Sequence, residues 1–170
     1  ELRMVEADLR ERNKELSCLY ELSKVVEEHP ASMRKILQKT VDLLPSAWQY
    51  PEVTCARIML DEYSFTSNNF FTSRCCQQST ILLNKRPVGK VQIYYCGEVP
   101  CSDKGLFLEE ERFLIDAVAE MLGRVYERIK MQEQLEAERN ALQKANMVLH
   151  DMLESLTKAK KHVEQSIQAN

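Results

Sequence analysis

Val88-Gly89-Lys90-Val91-Gln92-Ile93-Tyr94-Tyr95-Cys96 alternates along its length, with Val91, Ile93 and Tyr95 on one side and Gln92, Tyr94 and Cys96 on the other. Successive side chains of a strand point to opposite faces, so the stretch predicts a β-strand with one apolar side. Just upstream, Gln78–Asn84 reads as its antiparallel partner, joined through Lys85-Arg86-Pro87 and Gly89. Val53–Leu60 repeats the pattern, with Ala56, Ile58 and Leu60 opposed to Cys55, Arg57 and Met59. A short polar strand or turn near Tyr63–Thr66 follows it, and then an irregular stretch through Asn68, Asn69 and Arg74.

Helical patterns bracket this block. Leu2, Val5, Leu9, Leu16 and Leu19 fall on the a and d positions of a heptad repeat interrupted by Arg12, and Leu22, Val25 and Val26 widen the stripe. Residues 2–28 therefore read as a helix that starts as a coiled-coil seam and ends docked on a domain. His29-Pro30 stops it, because the residue before proline avoids the helical region. Ser32 fits the N-cap of a second helix, which carries Met33, Ile36, Leu37, Val41 and Leu44 on one side. Pro45 and Pro51 bracket a loop holding the single tryptophan, Trp48. After a loop with Pro100, Ser102, Asp103 and Gly105, the residues Phe113, Leu114, Ala117, Val118, Met121, Leu122 and Val125 form a wide stripe suited to packing on the sheet. The order indicates an α+β fold: a central antiparallel sheet with helices bundled on one face.

Beyond Ile129 the stripe narrows to a seam. Leu135, Leu142, Leu149, Leu156 and Val163 recur every seventh residue, with Asn146, Leu153, Lys160 and Ile167 at the complementary positions. Asparagine at an a position is the residue type that sets register in parallel dimers. Leu122 and Ile129 are out of phase with Leu135, which predicts a stutter between them. A helix of about sixty residues would be ~90 Å long. So polar a rod does not hold itself together, and its seam calls for a second copy of the chain.

Composition removes several function classes. Net charge is −3, from 23 Lys+Arg against 26 Asp+Glu, which is not the basic surface that advertises nucleic-acid binding. The 4 glycines are scattered at Gly89, Gly97, Gly105 and Gly123, so no phosphate-binding Gly-rich loop can be written. No apolar stretch approaches the ~20 residues that cross a bilayer. The chain opens at Glu1 without an initiator Met and closes inside a helical pattern, which suggests a fragment whose output module lies elsewhere, and the lack of a signal peptide points to a reducing, cytoplasmic setting. Its 6 cysteines are Cys18, Cys55, Cys75, Cys76, Cys96 and Cys101. They lack the paired C-x-x-C spacing of a zinc site and read as small buried hydrophobes. Redox, metal or haem chemistry stays open only for Cys75–Cys76 and the Cys96/Cys101 pair. No nucleophile–base pair stands out. Glu109-Glu110-Glu111 reads as the negative first turn of a helix, where the macrodipole favours it.

Cys55-Ala56-Arg57-Ile58, Phe70 through Gln78-Ser79, and Arg86-Pro87-Val88-Gly89-Lys90-Val91-Gln92-Ile93-Tyr94-Tyr95 together resemble a compact bacterial GAF domain. Gly105-Leu106-Phe107-Leu108-Glu109-Glu110-Glu111-Arg112-Phe113-Leu114-Ile115-Asp116-Ala117-Val118-Ala119-Glu120, leading to Leu122-Gly123-Arg124, resembles the final-helix signature of such sensors. Leu149–Asn170 is similar to the linker helix that precedes LuxR-type helix-turn-helix domains. These resemblances imply an N-terminal signalling helix over 1–12, a GAF-like sensor over 13–130 and a coiled-coil signalling helix over 131–170. They also imply a small-molecule pocket on the sheet face away from the helices. Arg57, Met59, Gln92 and Tyr94 would line it, with Trp48 as its lid or as a packing plug. Arg57 could meet an anionic ligand or fold over Tyr94 toward solvent. Cys75 and Cys76 keep a redox-sensing version open.

The expectation is a non-catalytic sensory module, a parallel homodimer through Leu2, Val5, Leu9, Leu16, Leu135, Leu142, Asn146, Leu149, Leu153, Leu156 and Val163. It would relay a small-molecule or redox input to an output domain, a LuxR-type regulator that alone touches DNA. The alternatives are the input region of a sensor histidine kinase and a purely structural dimerisation module. For the kinase, His150-Asp151 sits on the helix as a phosphoacceptor would, but no proline follows in Met152-Leu153-Glu154-Ser155-Leu156.

Overall fold

A computed structural model describes residues 2–99 and 105–170. In chain order, helices α1 (Leu2–Glu28) and α2 (Met33–Leu43) precede strands β1 (Thr54–Leu60), β2 (Tyr63–Thr66), β3 (Cys76–Leu83) and β4 (Arg86–Tyr95), and α3 (Glu109–Gln168) follows. The class is α+β. The chain divides into a unit ending at Ile129 and a second unit, Lys130–Asn170. Pro100, Cys101, Ser102 and Asp103 lie outside the described residues, and with them one half of the Cys96/Cys101 pair.

In the first unit the four strands form one antiparallel sheet in the order β2-β1-β4-β3. Alternation along β4 sets its two faces: Val91, Ile93 and Tyr95 stand opposite Ile58, Ala56 and Thr54 of β1, while Gln92 stands opposite Arg57. Turn chemistry corrects the connection expected from the sequence. β3 and β4 are joined by Asn84-Lys85, both with positive φ (50° and 65°), the geometry of a two-residue hairpin whose twist matches its strands. Pro87 and Gly89 therefore belong to β4 and not to the turn. Proline is tolerated there because β1 pairing ends at Gly89, so at Pro87 the strand has a neighbour on one side only.

The apolar sheet face and the helices share one core. Ile36, Leu37 and Val41 of α2, Leu22 of α1, and Leu114, Ile115, Val118 and Leu122 of α3 pack with Ala56, Ile58, Leu60, Val91 and Ile93. Pro30 ends α1 as expected, and the Ser32 hydroxyl accepts from the backbone of Lys35 at the start of α2. Along α3 the buried positions include Glu111, Leu114, Ile115, Val118, Leu122, Val125, Tyr126 and Ile129, spaced for one helix face. Phe113 lies on the opposite side and is 65% exposed, so it does not join the stripe that packs on the sheet; Ile115 takes that role. Two residues along a helix turn the side chain by about 200°, which also separates Leu16 (66% exposed) from Cys18 (4%) on α1.

At Gly123 α3 sits close on the sheet edge: a Cβ there would meet the Leu82 carbonyl oxygen at 2.6 Å. Backbone cannot yield as a side-chain tip can. Gly123→Ala is expected to destabilise the domain by about 1–3 kcal/mol in urea titrations. An unchanged midpoint would mean that the helix does not sit this close.

The second unit is helical to Gln168, and every residue from Lys130 to Asn170 is exposed. Among the described residues, no helix is long and apolar enough to cross a membrane.

Candidate functional site on the open sheet face

Strand register brings Arg57, Gln92 and Gln78 side by side across β1, β4 and β3. Arg57 donates from Nε and Nη2 to the Gln92 side-chain oxygen at 2.8 and 2.7 Å, and from Nη2 to the Tyr94 hydroxyl at 3.1 Å. Gln92 in turn donates to the Gln78 side-chain oxygen at 3.1 Å. The acceptors of the arginine are thus neutral oxygens. An arginine has five N–H donors in a planar fork, and these bonds use its Nε and Nη2 side.

An aromatic segment covers this cation. Phe70, in the connection between β2 and β3, meets Tyr94 edge-on at 5.6 Å between ring centroids. The Arg57 guanidinium lies 5.4 Å from the Phe70 ring centroid and 5.8 Å from that of Tyr94. Burial raises the Tyr94 phenol above its ordinary range, with the hydrogen-bonded Cys76 adding to it and Arg57 opposing it. The Cys76 thiol is likewise raised, first by burial.

The other expected site residues fall elsewhere in part. Met59 shares the face, half-buried two residues along β1, opposite Lys90 and Ser64. Trp48 does not: it is fully buried, and its indole N–H donates to the Gln77 side-chain oxygen at 3.1 Å. Gln77 pairs with Ile93, so this bond sits on the helix side of the sheet. Cys75 is half-buried against the core while Cys76 is exposed beside Tyr94. Consecutive residues point to opposite faces of a strand, and that alternation parts the adjacent thiols.

Leu2, Val5, Leu9 and Leu16 of α1, and Leu135, Leu142, Leu149, Leu153, Leu156 and Val163 of α3, each have more than half of their surface exposed. Arg139, Leu142, Asn146 and His150 lie along one exposed face of α3. Among the described residues no group of three or more His, Cys, Asp or Glu is arranged to hold a metal ion.

Sequence reasoning missed two participants, Gln78 and Phe70, and on the helix side of the sheet the buried role of Glu111. Gln78 was open to it, since hairpin pairing sets that residue beside Gln92. Phe70 carried no local signal, because its position depends on how an irregular segment folds back. Glu111 sits in a run of three acids at a helix start, yet it is 2% exposed and accepts three hydrogen bonds. No family model, curated protein or solved structure matches this chain.

Proposed function

We propose that the chain is a GAF-like sensory module which dimerises in parallel through its long C-terminal helix and passes an input at the open sheet face to an output domain. The observation that carries this reading is the row Leu135, Leu142, Leu149, Leu156 and Val163, exposed at heptad spacing on a helix with no buried residue beyond Ile129. Helices of this kind take their stability from packing an apolar stripe, and a second copy supplies the matching stripe. Asn146 within the seam favours the parallel register.

The input site is the Arg57–Gln92–Tyr94 cluster under Phe70, and its ligand class is a small molecule with an anionic group. The helix that closes the domain core with Val118, Leu122 and Ile129 also carries the seam. A ligand that prefers one packing of the core shifts the population of coil states by its differential affinity. About 5.5 kcal/mol takes such an equilibrium from 1:99 to 99:1. The output we assign is a LuxR-type DNA-binding domain, and the module itself is non-catalytic.

Leu135→Cys and Val163→Cys test the seam. In a parallel dimer each new thiol faces its own copy, and oxidation gives a covalent dimer beyond the level of the parent protein for both variants. In an antiparallel dimer centred between the two positions, each pair of like thiols would stand on the order of 40 Å apart. Crosslinking of neither variant, with a monomer mass in sedimentation, would end the proposal.

A further inference from the structure

A second pair of groups meets at the edge of the same sheet face. Cys55 of β1 and Cys96, one residue past β4, have their Sγ atoms 2.6 Å apart. Backbone pairing holds both: Cys55 stands opposite Tyr94, and the Cys96 N–H donates to the Val53 carbonyl at 2.7 Å. Both thiols are directed at one acceptor, the Phe71 carbonyl, at 3.2 Å from Cys55 and 2.9 Å from Cys96. The Phe71 N–H points back to the Cys55 sulfur at 3.5 Å. A cleft of about 490 Å³, lined by Pro51, Asn68, Asn69 and Phe71, opens onto both cysteines. A small reagent has room to reach them.

We propose that Cys55 and Cys96 form a redox modification site: a dithiol that a low-molecular-weight disulfide oxidises to an intramolecular disulfide, freeing the Phe70–Phe71 segment from the sheet. One cysteine thiolate attacks a sulfur of the oxidant and expels the first small thiolate. The other cysteine then attacks the protein sulfur of the mixed disulfide and expels the second. Two protein thiols are oxidised to one S–S bond, the oxidant is reduced to two thiols, and the two protons pass to them. In the reduced protein both S–H groups serve the Phe71 carbonyl; a disulfide has no donor, so that carbonyl loses both. Phe70, the next residue, is the ring lying over Arg57 and Tyr94. The effect on ligand binding rests on the sensory reading, whereas the disulfide itself does not. Burial, with Cys55 alongside, pushes the Cys96 thiol up to about 12. Its thiolate is scarce at neutral pH, so oxidation is slow there and quickens as pH rises.

The test uses the reduced full chain incubated with glutathione disulfide at mildly alkaline pH, followed by alkylation and peptide mass spectrometry. The expected product is a Cys55–Cys96 crosslinked peptide, with Cys75 and Cys76 alkylated. Chymotryptic cleavage after Phe70 or Phe71 should accelerate several-fold on oxidation, and Cys96→Ser should abolish both responses. A mixed disulfide on Cys76 with Cys55 and Cys96 still alkylated overturns the site. A crosslink without faster cleavage overturns the release of the segment. A monomeric chain that still forms the crosslink would sink the dimer reading alone.

Discussion

Replacing Glu111 by alanine should destabilise the domain by about 3 kcal/mol, lowering its melting temperature by on the order of 10 °C. Glu111 occupies the first turn of α3, but its carboxylate is turned inward. One oxygen accepts from the Gln49 N–H at 2.7 Å and from the Tyr95 hydroxyl at 3.1 Å, and the other from the Leu108 N–H at 2.8 Å. The Leu108 bond is one half of a capping box, needed because a leucine at the helix entry has no side-chain acceptor of its own. Alanine strands two backbone donors in a part-buried place, and each such group costs about 1–3 kcal/mol. Glu111→Gln keeps one acceptor oxygen for Gln49 and Tyr95 but sets an amide N–H₂ against the Leu108 N–H, so an intermediate loss is expected.

The same residue has a pH signature. Burial raises its carboxyl above the ordinary range, and the bonds from Leu108, Gln49 and Tyr95 only partly oppose this. A group whose folded pKa lies above its unfolded value adds stability that is full below the unfolded pKa and is lost as pH rises through the folded one. The stability gap between the parent and Glu111→Ala should therefore widen from about pH 7 down to the ordinary value of 4.5. Urea titrations of both proteins at the two pH values measure it. A gap that narrows on acidification would mean that the three bonds outweigh burial.

Lysine at both Leu149 and Leu156 should abolish the dimer. The two side chains are 55% and 66% exposed on a single helix, and the proposed seam would bury both in each copy. At about 1.5–3 kcal/mol per leucine, the pair in two copies carries on the order of 6–12 kcal/mol of association. That corresponds to a dissociation constant weakened by at least ~10⁴-fold. Sedimentation should give the 19.8 kDa protomer, and circular dichroism should lose the helix signal of residues 130–168. The melting of the domain up to Ile129 should stay unchanged. A double variant that remains dimeric would place the contact elsewhere, with the exposed Leu2, Val5, Leu9 and Leu16 of α1 as the next surface to test.

What was legible in the sequence was local. Period-two alternation assigned Ala56 and Ile58 to the core and Arg57 to the far face, and Pro30 with Ser32 placed the break between α1 and α2. Local pattern likewise made the stretch beyond Ile129 helical, since steric and capping rules act over a few residues. Tertiary packing decided the rest. The docking of α3 on β3 through Gly123 buried Ile115 and left Phe113 in solvent. Glu111 was taken from a solvated turn into a buried one, and Trp48 was kept on the helix side. Cys55 met Cys96 across 41 positions of chain, with Phe71 between them. No local pattern announces such a meeting, because it exists only where strand register and a folded-back loop bring distant residues to one edge.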